Sequence, residues 1–317
     1  TGFGKYAEFS NTKILDGVLK KQASVVEYVD TIECAGNFIA KSTTSRDDYI
    51  KNNVTHQEIH PSLILGIMAN QVIFPENNPY PRNAFACGQA KQGVSVFHSN
   101  FRNRIDKTSY LLNYGQIPLT KSKYLDYATK EQHPYGENAI VAVMCYTGFN
   151  VEDAVIVNRG SLSRGLFRTT YYNMYEDHEE TKNVGNAVID KRFMNIEDND
   201  VNDLKPGYDY SKLDKTTGLI RENEKVTEKT IVIGKTVPLM GNQEGSYRDE
   251  SLVPKKGQVG RVDKSFITRG EEGKRIAKVR IRGERIPAIG DKFCSRAGQK
   301  GTIGIILDEK DMPTTAS

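Results

Sequence analysis

The sequence predicts a β-rich α+β fold, and three kinds of pattern in its 317 residues favour it. Residues 275–282 alternate charged and apolar side chains, which is typical of an amphipathic strand with one basic face. Residues 139–146 and 154–157 are nearly continuous apolar runs, which are typical of strands covered on both faces. Residues 62–70 have the composition of a short buried helix and residues 84–96 that of a second helix, so we expect helices beside the sheets.

The N-terminal third of the chain is expected to combine short helices, one strand and a rigid loop. Residues 24–29 are rich in β-branched and aromatic side chains, which favours a half-buried strand at the end of a preceding domain. Residues 74–83 are dense in proline and asparagine and predict a loop that holds Arg82 in a fixed position. The helix that follows would place Lys91 and Gln92 about two turns beyond that loop.

The composition changes near residue 176, where a polar and acidic region begins that continues to about residue 214. We expect this region to be an exposed inserted module with flexible loops. Strand signals return at residues 230–234 and 258–262. Residues 286–304 are rich in glycine, and this density favours a tight strand-loop-strand over a helix.

Composition and charge disfavour several classes of protein. The chain has 38% hydrophobic and 26% charged residues, and no apolar run approaches the roughly 20 residues that a membrane helix needs. A net charge of +4 is too small to indicate nucleic-acid binding by itself. The four cysteines form no C-x-x-C pair, which disfavours a disulfide framework and a thiolate zinc site and favours a reducing compartment. The chain starts at Thr1 with no signal-type pattern, so we expect an internal piece of a longer protein.

Three cations in the glycine-rich segment are the first candidates for a binding site. Lys292, Arg296 and Lys300 are spaced by four residues among glycines, which allow a backbone to approach a ligand closely. Such a loop suits a phosphodiester or a triphosphate, which binds through charge and through exposed backbone N–H groups. The alternative is a basic hairpin on a solvated face, and the spacing alone fits both.

Glu152 and Asp153 lie at a break between two apolar segments and are candidate metal ligands. Mg²⁺ prefers carboxylate oxygen and often takes only one or two protein carboxylates together with substrate phosphates. The alternative, which the local sequence favours, is an acidic pair in the first turn of a helix that Asn150 caps. The two interpretations are compatible.

Arg82 and two histidines are weaker candidates. A guanidinium in a rigid loop suits a triphosphate because it offers planar, paired donors, although a surface ion pair is the commoner role of a lone arginine. His56 and His60 flank Glu58, but the glutamate is one place too late for H-E-x-x-H, and Pro61 disfavours helical angles at His60. A metalloprotease is therefore disfavoured, and the absence of a G-x-x-x-x-G-K-[ST] pattern leaves a P-loop ATPase unsupported.

Several segments, taken in order, resemble the second-largest subunit of multisubunit RNA polymerases, of the eukaryotic RNA polymerase II and large-DNA-virus type. The resemblance covers nearly the whole chain and is weakest between residues 176 and 214. Ala297 stands where the cellular members usually have histidine. This difference favours a divergent member of the family, such as a viral enzyme. The segments that carry the resemblance are His60-Pro61-Ser62 with the Leu-Ile-Leu-Gly that follows, Pro81-Arg82-Asn83, Lys91-Gln92, Gly148-Phe149-Asn150-Val151-Glu152-Asp153, Arg164-Gly165-Leu166-Phe167-Arg168, Val232-Ile233-Gly234-Lys235-Thr236, Gly290-Asp291-Lys292-Phe293 and Gly298-Gln299-Lys300-Gly301.

The resemblance implies four regions along the chain. Residues 1–58 would end an external domain, and residues 59–175 would form the first half of a hybrid-binding domain. Residues 176–285 would be an inserted wall, and residues 286–317 would start the second half of the hybrid-binding domain. In that family the catalytic core is a double-psi β-barrel, so the two halves would form a partial barrel that faces a second barrel in the largest subunit.

The resemblance also implies roles in template-directed nucleotidyl transfer. Lys292 and Lys300 would contact the RNA 3′ end or the phosphates of the initiating nucleotide, and Arg296 lies in the same substrate-binding loop. Arg82 would contact the incoming nucleoside triphosphate (NTP). Lys91-Gln92 would line the path of the RNA.

The implied cofactor is Mg²⁺, and zinc is not expected in these residues. Asp153, with Glu152 beside it, would help to place the second, nucleotide-borne Mg²⁺. The aspartate signature that holds the tightly bound Mg²⁺ belongs to the largest subunit and does not occur here, so this chain would be active only in complex with that subunit.

The implied partners are the largest subunit, other polymerase subunits, the DNA template, the RNA–DNA hybrid and NTPs, with no membrane. The location would be the nucleus for a cellular protein and the host cytoplasm or the virion for a viral one. A catalytically retired paralogue that binds nucleic acid or serves as a scaffold remains the alternative. The retained Glu152, Asp153 and both lysines argue against it, since a scaffold needs none of them.

Overall fold

A computed structural model describes residues 14–15, 18–19, 27, 29–41, 52, 54–58, 60–129, 132–184, 187–197, 201–239, 246–270 and 273–315. The chain divides into two compact units, Thr1–Asn70 and Gln71–Ser317. None of the helices in these ranges is long and apolar enough to cross a membrane.

The first unit contains short elements. Strands β1 (Ile14–Leu15) and β2 (Val18–Leu19) pair antiparallel, and strands β3 (Ile39–Ala40) and β4 (His56–Gln57) pair parallel. Helix α1 covers Thr31–Gly36, and its start is capped by Asp30, whose carboxylate accepts a hydrogen bond from the N–H of Glu33. A 3-10 helix, Pro61–Leu65, leads into helix α2, Gly66–Ala69.

The predicted helix at residues 62–70 is confirmed as helical, but its predicted burial is wrong. Ile64 and Ile67 are exposed, whereas Ala69 and Asn70 are buried. Of the predicted strand at residues 24–29, residues 24–26 and 28 lie outside the described ranges, and Glu27 and Val29 are in no strand.

The second unit is built mainly from strands. Its helices are α3 (Tyr80–Ala90), α4 (Lys123–Thr129) and α5 (Arg159–Ser163), with 3-10 turns at Pro75–Asn77 and Glu309–Asp311. Its strands are β5 (Thr108–Leu112), β6 (Ala154–Asn158), β7 (Thr169–His178), β8 (Glu180–Val184), β9 (Ala187–Phe193), β10 (Val201–Asn202), β11 (Lys225–Val226), β12 (Lys235–Pro238), β13 (Tyr247–Asp249), β14 (Gly260–Arg269), β15 (Arg275–Arg285), β16 (Lys292–Cys294) and β17 (Lys300–Leu307). The β-rich α+β prediction is confirmed.

Three sheets organise these strands. One has the order β10-β13-β12-β9-β8, a second β11-β14-β15-β7-β5, and a third β16-β17-β6. No sheet closes into a barrel within the described ranges. The predicted domain boundary at residue 176 falls inside β7, which pairs with β15 along its whole length.

The main core lies on one face of the β14-β15-β7 sheet. Ala277, Val279 and Ile281 of β15 are completely buried, as the alternation in residues 275–282 predicts. The rest of the core comes largely from the region between β9 and β14: Tyr175, Phe193, Ile196, Tyr210, Leu213, Leu219, Ile220, Val226, Ile231, Val232, Ile233 and Val262.

The prediction that residues 176–214 form an exposed module is therefore wrong, because part of this region is buried. Phe193, Ile196, Tyr210 and Leu213 belong to the core, and most of the acidic start of the region continues β7. The predicted strand at residues 230–234 is buried but forms only isolated bridges, from Thr230 and Ile233. The polar composition did not predict this burial, because a few widely spaced apolar residues are enough to pack these turns against the core.

The basic face of β15 is only partly exposed. Arg280 is buried, and its Nε donates to Asp263 Oδ2 at 2.8 Å. Its guanidinium also donates to the backbone oxygens of Phe101, Arg102 and Arg104. These bonds fasten the loop before β5 to the sheet and satisfy a charge that would otherwise be costly to bury.

The predicted strand at residues 139–146 is wrong. These residues form no strand, and Ile140, Val141 and Val143 are exposed. An apolar run predicts a covered strand only where another strand is available to pair with it. None of the described strands pairs with this run.

Candidate functional site

The site is centred on the parallel pair β6 and β17, which joins two distant parts of the chain. Ala154 lies opposite Thr302, and Val155 lies opposite Ile303. The N–H of Thr302 donates to the backbone oxygen of Asp153 at 3.1 Å. Asp153 directly precedes β6 and Lys300 begins β17, so the pairing brings both to the same end of the sheet.

The predicted strand-loop-strand at residues 286–304 is confirmed as the antiparallel hairpin β16-β17. Lys292 pairs with Thr302 and Cys294 pairs with Lys300. Directly opposed residues and residues two apart share a face, so both lysines lie on one face of the hairpin, together with Cys294. Both lysines are exposed. Cys294 between them is exposed as a residue, but partial burial of its thiol raises the pKa of that group.

The loop between the two strands packs against helix α3. Arg82 Nη1 donates to the backbone oxygen of Gly298 at 3.4 Å, and Gln89 Nε2 donates to the same oxygen at 3.5 Å. Gly298 has a φ of +82°, and a Cβ added there would lie 2.4 Å from the backbone oxygen of Arg82. Only glycine fits both the left-handed backbone and the close helix.

Arg82 lies in the first turn of α3, so its predicted position in a loop is wrong. Prolines are tolerated at the start of a helix, where the missing N–H is not needed. Pro79 is the N-cap and Pro81 lies in the first turn. The proline-rich segment thus starts the helix that carries Arg82.

The remaining cation of the loop, Arg296, does not contact α3 in this way but bonds to a residue between β5 and α4. Its Nη2 donates to Thr120 Oγ1 at 3.0 Å. Tyr135 lies nearby and donates from its hydroxyl to Gln71 Oε1. Burial raises the pKa of Tyr135, and the positive charge of Arg296 opposes that rise.

The acidic pair lies in a left-handed turn, so the predicted helix start is wrong. Glu152 and Asp153 have φ values of +54° and +63° and lead into a strand. Asn150 caps no helix: its Nδ2 donates to Met144 O at 2.6 Å and its Oδ1 accepts from Tyr146 N at 3.2 Å. Such backbone costs on the order of 1–3 kcal/mol per residue and is frequent at functional sites.

Asp153 is tied to the basic hairpin through its side chain. Gln299 Nε2 donates to Asp153 Oδ1 at 3.2 Å, although the two residues are 146 positions apart. Among the residues that the structure describes, Glu152, Asp153, Lys292 and Lys300 form no ion pair with one another or with other side chains. The site therefore keeps opposite charges close together with both sets open to a ligand.

The structure brings together most of the residues that the sequence singled out. Asp153 contacts Gln299 of the loop, and Arg82 contacts Gly298. Arg296 lies within the loop, and the two lysines flank it. Lys91 and Gln92 are exposed at the C-terminal end of α3.

Three contact residues were missed. Gln89 lies seven positions after Arg82 and so on the same helix face, a spacing that could have identified it. Gln299 adjoins Lys300. No signal in the sequence marks Thr120.

The histidines of the H-Q-E-I-H segment have local roles. His56 Nε2 lies 2.9 Å from Glu27 Oε2, and His60 Nδ1 accepts from the N–H of Ser62 at 3.1 Å. In the described ranges, no group of three His, Cys, Asp or Glu side chains could hold a metal ion by itself.

The sequence family follows from a direct match. Residues 68–317 match the family model described as RNA polymerase Rpb2, domain 6. The chain belongs to this family. It is thus a member of the second-largest RNA polymerase subunits, as its motifs predict.

Relatives from eukaryotes and archaea agree with this assignment. The chain is 37% identical over 92% of its length to DNA-directed RNA polymerase II subunit RPB2 of Encephalitozoon cuniculi, covering 26% of that protein. It is 40% identical over 83% of its length to the same subunit of Schizosaccharomyces pombe, covering 22% of it. It is 37% identical over 98% of its length to subunit Rpo2 of Sulfolobus acidocaldarius, covering 27% of it. The chain spans about a quarter of the length of these relatives.

Two glycine substitutions test how the loop is packed. Gly298 and Gly290 both have left-handed backbone, but an added Cβ at Gly290 would meet nothing within 4 Å. We expect Gly290→Ala to lower the free energy of unfolding by about 1–2 kcal/mol through backbone strain alone. Gly298→Ala should cost about 1–3 kcal/mol more because α3 must move. Urea titration measures both, and equal losses would contradict the close packing of α3 on the loop.

Proposed function

We propose that this chain supports template-directed nucleotidyl transfer as part of a DNA-directed RNA polymerase, together with the largest subunit. The observation that carries the proposal is the hydrogen-bonded β6-β17 pairing, which puts the carboxylate of Asp153 beside the loop between Lys292 and Lys300. Phosphoryl transfer needs positive charge where negative charge develops, and it needs reactants held in place. The family to which the chain belongs supports this chemistry.

The two lysines would act on phosphates. Their ammonium groups are exposed on one face of the hairpin and have no described carboxylate partner, so they remain available to the RNA 3′ end or to an initiating nucleotide. Arg82 retains further donors beside its bond to Gly298, and a guanidinium can hold a triphosphate through paired donors. Arg296, held by Thr120, would add positive charge to the same loop. Lys91-Gln92 would line the RNA path.

Asp153 and Glu152 fit a supporting role toward Mg²⁺. Both are exposed, offer hard carboxylate oxygens and are free of ion pairs with described residues, which suits a cation that takes few protein ligands. When bound, the metal would neutralise phosphate charge and orient the nucleotide. We propose that Asp153 contributes to the second, nucleotide-borne site and that the largest subunit supplies the main ligands.

The wider architecture is part of the proposal. The β16-β17-β6 sheet would be one portion of a double-psi β-barrel, and residues 176–285 would form the wall of a hybrid-binding domain. The partners would be other polymerase subunits, template DNA, the RNA–DNA hybrid and NTPs. A cellular protein would act in the nucleus, and a viral one in the host cytoplasm or the virion.

Removal of both lysines tests the phosphate contacts. In the assembled polymerase, Lys292→Ala with Lys300→Ala should slow nucleotide addition by about 100-fold or more, because fixed charge at the transferred group is lost. Rapid-quench measurement of single additions gives the rate. Lys255→Ala with Lys256→Ala is the matched control, since both lysines are exposed in a turn outside the site. Unchanged initiation and elongation would exclude Lys292 and Lys300 from the site.

Removal of the aspartate separates a catalytic subunit from a retired scaffold. Asp153→Ala should abolish NTP incorporation while the polymerase still assembles and binds template. Asp203→Ala is the control, because Asp203 is also an exposed aspartate with left-handed backbone, at φ +60°. Normal incorporation by the Asp153 variant would favour the scaffold.

A further inference from the structure

Gln299 is an unassigned residue of the site that contacts Asp153 through a side chain rather than through the backbone. The backbone around it is already satisfied without that contact. Ser295 N donates to Gln299 O at 3.0 Å and closes the loop, and Thr302 N donates to Asp153 O at 3.1 Å and joins the two strands. The bond from Gln299 Nε2 to Asp153 Oδ1 is therefore additional to what the hairpin needs in order to form.

The chemistry of an amide suits the orientation of a carboxylate that must keep its charge. A lysine or arginine in this position would pair with Asp153 and cancel the charge that a cation needs. An amide N–H fixes one carboxylate oxygen, remains neutral, and leaves the second oxygen for another partner. Hydrogen-bonding partners of this kind commonly orient metal-binding carboxylates.

The position of Asp153 makes such an orienting bond useful. The residue lies in a turn at the edge of a sheet, and its side chain is exposed, so little packing restricts its rotamers. The left-handed backbone at Glu152 and Asp153 fixes where the side chain starts, but not where its oxygens point. Gln299 is also exposed, but its backbone follows Gly298, which α3 holds in place, so its amide donor starts from a fixed position next to Asp153.

The geometry points to Gln299 as a positioning residue that orients Asp153 toward the nucleotide-borne divalent cation. This inference rests on the proposed function, in which Asp153 faces that cation. It adds that the carboxylate reaches full affinity for a cation only while the neutral amide holds its other oxygen. Gln299 also adjoins Lys300, so one loop would set the positions of the acid and of the phosphate-binding lysine together.

The test measures metal binding separately from chemistry. Elongation complexes of the assembled polymerase are prepared with RNA that ends in a 3′-deoxynucleotide, so that the incoming NTP binds but does not react. Electron paramagnetic resonance then counts the Mn²⁺ ions that bind with the NTP. Gln299→Met keeps the length of the side chain but removes the donor, and Asp153→Ala and the double variant complete a double-mutant cycle.

We expect Gln299→Met to weaken NTP-dependent Mn²⁺ binding by about 10–100-fold, the usual effect of losing a partner of a metal ligand. With reactive RNA, a raised Mg²⁺ concentration should restore most of its maximal rate of nucleotide addition. In the Asp153→Ala background, the same substitution should change Mn²⁺ binding by less than about twofold, because the carboxylate that it orients is absent.

A second variant keeps the test decisive if Gln299→Met fails to assemble. Gln299→Lys keeps a donor but adds a charge, and it should also weaken Mn²⁺ binding. Binding as tight as that of the unsubstituted protein would overturn the requirement for a neutral amide. If Asp153→Ala loses Mn²⁺ while Gln299→Met binds it normally, the positioning role is wrong and the proposed function stands. If Asp153→Ala itself binds Mn²⁺ and incorporates NTP normally, the proposed function fails, and this inference fails with it.

Discussion

The parallel pairing of β6 with β17 is the constraint on which the rest of the site depends. It is a contact between segments far apart in the chain, so its formation must offset the entropy of closing a long loop. Ile303 is almost completely buried at this junction. An added Cβ at Gly304 would lie 2.2 Å from the backbone oxygen of Phe149, so glycine is needed where the turn before β6 meets β17. Without this pairing, Asp153 and Lys300 would have no reason to be neighbours.

Some charged side chains of this protein form ion pairs within the described chain, and others do not. Away from the site, buried cations are paired: Lys235 Nζ lies 2.7 Å from Asp177 Oδ1, and Arg280 is bound by Asp263 and by backbone oxygens. At the site, exposed lysines and carboxylates lie near one another without forming ion pairs in the described chain. Groups that only stabilise a fold are expected to be satisfied internally, whereas groups that await a ligand are not. This contrast separates the site from the basic face of β15, which is equally rich in arginine.

Local patterns in the sequence predicted what local physics controls. The alternation in residues 275–282 and the glycine density around residues 286–304 identified β15 and the β16-β17 hairpin because period and backbone freedom are properties of the segment itself. The apolar run at residues 139–146 failed because strands need partners, which the run does not specify. The acidic pair, preceded by Asn150, predicts a helix start because asparagine is a common helix cap. The pair forms a left-handed turn instead. Asn150 is hydrogen-bonded to Met144 and Tyr146, and Thr302 N donates to Asp153 O, and no spacing in the sequence reveals these bonds.

Cross-linking across the β6-β17 pair tests the central claim most directly. In assembled polymerase whose native cysteines are replaced by serine, Ala154→Cys and Thr302→Cys would stand opposite each other on adjacent strands, within the roughly 4.4–6.8 Å between Cα atoms that a disulfide spans. Mild oxidation should link them nearly completely. The control pair, Ala154→Cys with Ile303→Cys, places the thiols on opposite faces and should link poorly. Equal linking of both pairs, or none with the matched pair, would contradict the register that brings Asp153 to Lys300.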